Sequence, residues 1–73
     1  MDNNNVFICM TWDTMDSIER MAKEKSYPLQ DSALYRKINR HLRRLVGLKG
    51  ENESLKFGIA YLLGQLRIEV MEA

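Results

Sequence analysis

At 73 residues the chain has room for one domain, 1–73, and a domain so short buries only about 60% of the surface its unfolded form exposes, so self-association, most simply as a homodimer, is expected. The single Cys9 excludes an internal disulfide, the lone His41 with no Cys/His cluster leaves structural zinc without ligands, and 45% hydrophobic against 29% charged residues excludes a disordered chain. A formal net charge of +1 excludes a uniformly basic or acidic chain, yet residues 32–50 hold Arg36, Lys37, Arg40, Arg43, Arg44 and Lys49 with no acid, between flanks that are both net negative.

The opening MDNNN lacks the basic start of a secretory leader. Val6 to Met10 is a short apolar run rich in strand formers and reads as a strand. Thr11 or Asp13 can then cap a first helix, with Asp16 and Glu19 near its positive end. Met15, Ile18, Met21 and Ala22 recur at helical steps, and Pro28 ends that helix near Lys25.

Asp31 is placed to cap a second helix that runs to about Val46, with Gly47 as its stop. At about 100° per residue, Leu34, Ile38, Leu42 and Leu45 share one side, flanked by Tyr35 and Val46. Arg36, Arg40 and Arg43, flanked by Lys37 and Arg44, take the opposite side. Gly47 to Gly50 makes a turn, and Asn52 or Ser54 caps a third helix. Leu55, Ile59, Leu62, Leu63, Leu66 and Val70 form its main stripe, and Phe57, Tyr61 and Ile68 a second one beside Gly64. A helix apolar on two sides needs two partners. The longest nearly apolar run, Phe57 to Gly64, is too short to span a bilayer, so a cytoplasmic protein without membrane contact is expected. The fold class is therefore mainly α, a short N-terminal strand followed by three helices.

Catalytic chemistry has little to stand on. His41 has no second ligand or nucleophile in view, Cys9 sits in an apolar run without a nearby histidine, and Gly47-Leu48-Lys49-Gly50 lacks the spacing of a phosphate loop. No enzyme activity, metal or cofactor is expected. Five cations on one helix face repel one another, and a polyanion that neutralises them releases its counterions. Arginine predominates, and its planar fork suits phosphate. The competing reading is a solvated face partly neutralised by acids of the first helix.

The order strand, helix, helix resembles the ribbon–helix–helix repressors, over about Asn5 to Leu42. Val6, Ile8 and Met10 alternate as that family's inward strand residues do, and Leu34, Tyr35 and Ile38 match its second-helix core. The resemblance implies a dimer whose paired strands enter the major groove of duplex DNA. Asn5, Phe7 and Cys9 would then face the bases, and of these only Asn5 is a good base reader. The resulting expectation is a small regulator of the transcriptional repressor type, as phages, plasmids and bacteria carry, contacting nucleic acid through Asn5, Arg36, Lys37, Arg40, Arg43 and Arg44. The alternative is a helical protein-interaction module, such as a phage-encoded inhibitor or accessory subunit. It would dock on a larger protein through Phe7, Trp12, Phe57, Tyr61 and Ile68, its basic helix meeting an acidic surface.

Overall fold

The computed structural model describes residues 3–50 and 52–73, the side chain of Asn3 excepted. Three helices, α1 (Asn3–Glu24), α2 (Ala33–Val46) and α3 (Glu53–Met71), pack up-down-up, with a 3-10 turn at Leu29–Asp31 before α2. Each helix touches the other two, so the bundle is triangular in section. Its core is Met15, Ile18 and Ala22 from α1, Ile38, Leu42 and Leu45 from α2, and Ile59, Leu62, Leu66 and Val70 from α3.

The expected N-terminal strand is not there: Val6 to Met10 are part of α1, and no strand occurs among the described residues. The reason is a helical repeat that runs back through polar positions. Asn4 and Thr11 are buried on the same stripe as Met15, Ile18 and Ala22, at steps of seven, four, three and four residues. Each makes its burial tolerable with a hydrogen bond: Thr11 Oγ1 donates to the Phe7 carbonyl at 2.9 Å, and Asn4 Nδ2 to the Gly50 carbonyl at 2.9 Å. Counting apolar letters alone hides that stripe. Thr11 and Asp13 consequently cap nothing, and Asp13, Asp16 and Glu19 lie mid-helix instead of in a first turn. Cys9, expected to face the bases from a paired strand, is an exposed residue of α1.

The helix ends follow local chemistry. At the end of α1, Ser26 takes a left-handed φ of 56°. Tyr27 N–H donates to the Ala22 carbonyl and Ser26 N–H to that of Lys23, the paired bonds of a Schellman stop. The cap of α2 falls one residue later than expected. Asp31 closes the 3-10 turn, and Ser32 accepts from Tyr35 N–H at 3.3 Å. Gly47 follows the last turn of α2 as expected, its N–H donating to the Arg44 carbonyl and that of Leu48 to the Leu45 carbonyl. Lys25 Nζ donates to the Met71 carbonyl, so a cation from the end of α1 sits on the negative end of α3.

Two side-chain latches hold the helices in register. Glu69 of α3 accepts hydroxyl hydrogen bonds from Tyr27 and Ser32, each at 2.7 Å, tying α3 to the connection before α2. Tyr35 OH of α2 donates to Glu19 of α1 at 3.2 Å. The hydrogen bond to Glu69, then burial, then the charge of Glu69 hold the Tyr27 hydroxyl above its usual pKa of 10.0. Burial does most to raise that of Tyr35; its hydrogen bond with Asn39 opposes the rise, and Glu19 adds to it.

Candidate nucleic-acid interface

The charged face of α2 arises because its core residues recur at three- and four-residue intervals and leave the remaining positions outside. Ile38, Leu42 and Leu45 are buried, whereas Arg36, Lys37, Arg40, Arg43 and Arg44 are all exposed. Among the described residues the one ion pair within 4.0 Å joins Lys56 to Glu53 of α3, at 3.8 Å. None of the five cations is neutralised at that range by an acid of α1, although Asp13, Asp16 and Glu19 line a depression along that helix.

The five do not form one cluster. Arg36, Arg40 and Arg43 rim a shallow depression with Asn39, on the side of α2 toward α1. Arg44 lies on the other flank, in a depression with Leu48, Asn52, Glu53, Ser54 and Leu55 at the start of α3. Lys37 shares that flank by its spacing. Asn39 was not singled out by sequence, because an isolated amide in a basic run carries no signal. Its position three residues after Arg36 and four before Arg43 is what puts it inside the arginine triad.

Asn5, expected to read a base from a paired strand, is an exposed residue of α1, so it has no ribbon from which to enter a groove. Phe7, expected both to face the bases and to anchor a partner, is half-buried against the core with the Lys56 ammonium 6.0 Å from its ring centre. Its helical position turns it toward α3, and Lys56 in turn buries its stem there, with the ammonium near Glu53. Trp12 is 44% exposed and, with Asn5 and Glu19, occupies the flank of α1 nearest α2. Phe57, Tyr61 and Ile68 are exposed on the outer side of α3. His41 is half-buried at the edge of the α2 stripe, and no group of three His, Cys, Asp or Glu gathers as a metal site among the described residues.

No protein-family model matches this chain, and no curated protein or solved structure does. Of the described helices, none is long and apolar enough to cross a membrane.

Proposed function

We propose that this protein is a small nucleic-acid-binding regulator that grips the phosphates of duplex DNA through α2. The observation that carries the reading is five exposed cations on one helix, none paired within 4.0 Å to an acid among the described residues. Arg36, Arg40 and Arg43 offer planar donors around one depression, with the Asn39 amide between them. Lys37 and Arg44 extend the charge across the helix. Such contacts position a protein on a duplex without reading its sequence. The role needs the basic helix alone, not a strand ribbon, and involves binding instead of catalysis.

The experiment is a duplex titration followed by the emission of Trp12, the sole tryptophan, at several salt concentrations. Each phosphate contact contributes about 0.9 to the slope of log affinity against log salt. Replacing Arg36, Arg40 and Arg43 together with Ala removes three exposed side chains and leaves the core untouched. The expected outcome is an unchanged circular-dichroism spectrum, with affinity lowered and the slope reduced by about 3. Equal affinity of variant and parent overturns the reading.

The exposure of Trp12, Phe57, Tyr61 and Ile68 favours a second reading, a module that docks on a larger protein by aromatic anchors. In that case duplex DNA does not bind, and substitutions at those four positions abolish capture of the partner.

A further inference from the structure

The outer side of α3 carries an uncharged stripe that the bundle leaves uncovered. Phe57 is 72% exposed, Tyr61 67%, Ile68 48% and Met71 55%, with Gly64 exposed between them. Their spacing is four, three, four, three, the same helical repeat that buries α1 and α2 in the bundle, so the stripe has the form of a face that packs against one further helix. At about 100° per residue the stripe lies diametrically opposite Ile59, Leu66 and Val70. No other helix of the same chain can therefore reach it.

We infer that this stripe is the interface between two copies of the chain, paired antiparallel about a two-fold axis at Gly64. The stripe is self-complementary about that point. Phe57 lies seven residues before Gly64 and Met71 seven after, so each meets the other across the axis. Tyr61 and Ile68, three before and four after, come to within one residue's rise, about 1.5 Å, of the same level. Gly64 meets itself, and space around it is open, with nothing within 4 Å of a Cβ placed there. Two backbones can approach closely at that point because neither carries a side chain.

The exposed parts of the four large side chains come to about 550 Å², and Ala60, Gly64 and Gln65 lie in or beside the same stripe. A specific interface covers about 800 Å² per partner, so the stripe provides most of what a modest dimer needs. An antiparallel pair also opposes the two helix dipoles. The occupant is a second copy because the residues on each half of the stripe are what the other half requires.

The symmetry has a consequence for the basic faces. A two-fold axis perpendicular to the paired helices keeps both copies of α2 on the same side of the dimer. With neighbouring helices packed about 8–10 Å apart in triangular bundles, their axes stand roughly 22–27 Å from each other. That consequence bears on function only through the proposed binding of duplex DNA; the dimer itself stands without it.

The test is sedimentation from micromolar to millimolar concentration, alongside disulfide trapping in a Cys9→Ser background. Parent protein is expected to sediment as a dimer at the upper end, and Tyr61→Glu as a monomer with unchanged helicity. A mixture of Phe57→Cys and Met71→Cys chains is expected to oxidise to the mixed 57–71 disulfide and not to 57–57 or 71–71. A parent that stays monomeric throughout, or like-with-like disulfides from a parallel pair, overturns the inference. For a dimer that binds DNA, a duplex spanning both faces is held at least roughly tenfold tighter than one too short to reach both, and Tyr61→Glu abolishes the difference. A dimer that ignores DNA leaves this interface standing and removes the proposed function, whereas a monomer that binds DNA does the reverse.

Discussion

Ser26 sits in the left-handed region at φ 56°, where the Cβ of an ordinary residue crowds the following carbonyl at a cost of about 1–2 kcal/mol. Glycine removes that crowding but adds freedom to the unfolded chain, so the two effects partly offset. Ser26→Gly is expected to raise stability by about 0.5–1 kcal/mol, read as a higher urea midpoint; a lower midpoint would show that the serine side chain contributes to the stop. The two latched tyrosines give the protein an alkaline limit. Both hydroxyls are held above the usual pKa of 10.0, so the folded state keeps protons that the unfolded chain releases. Stability from these groups is complete below pH 10 and declines as pH rises from there toward the raised folded-state values. Thermal melts should show that decline, and Tyr27→Phe with Tyr35→Phe should flatten it. An equally steep alkaline arm in the double variant would place its origin elsewhere.

At the scale of the helix, α2 and α3 show how the same spacing rule produces opposite surfaces. α2 has one buried stripe and covers the rest with arginine, so its outer side was legible: residues three and four apart share a face whatever the neighbours do. α3 is apolar on both sides and depends on packing, since Gly58 and Gly64 each weaken it by up to about 1 kcal/mol relative to alanine. Gly58 has nothing within 4 Å of where a Cβ would sit and lies off the outer stripe. Gly58→Ala is therefore expected to stabilise the protein by about 0.5–1 kcal/mol in chemical denaturation; a loss would mean that the neighbouring helix needs the gap. α1 was the least legible. Its first two turns are held by Asn4 and Thr11, polar residues whose burial depends on a loop carbonyl and a backbone carbonyl. The alternation of Val6, Ile8 and Met10 was real, but in the helix Ile8 is half-buried while Val6 and Met10 are exposed.

For the molecule as a whole, size sets the margin. A domain of this length has a total stability of roughly 4–11 kcal/mol. Leu66 is fully buried where the three helices meet, and truncating a buried leucine to alanine costs about 2–5 kcal/mol. Leu66→Ala is accordingly expected to lower the melting temperature steeply, and at physiological temperature to leave part of the population unfolded. A shift of only a few degrees would mean that association supplies stability beyond what one bundle contains. The arrangement also separates the molecule's surfaces. The basic side of α2 and the outer side of α3 face different directions, so a phosphate-bearing ligand and a second copy do not compete for the same residues.

Caps, stops and helical periodicity depend only on residues within a turn or two, so the three-helix outline after residue 13, the stops near Lys25 and Gly47, and the two-sidedness of α2 were legible in the order of residues alone. That order left Asn39 unremarked, since an amide among arginines has no period of its own. Packing between the helices is what makes Val6 to Met10 helical, turns Phe7 inward beneath Lys56, and leaves the second stripe of α3 outside. Those outcomes turn on which neighbour arrives to accept a hydrogen bond or cover a face, and that partner lies some forty or more residues away in the chain, as Gly50 does from Asn4.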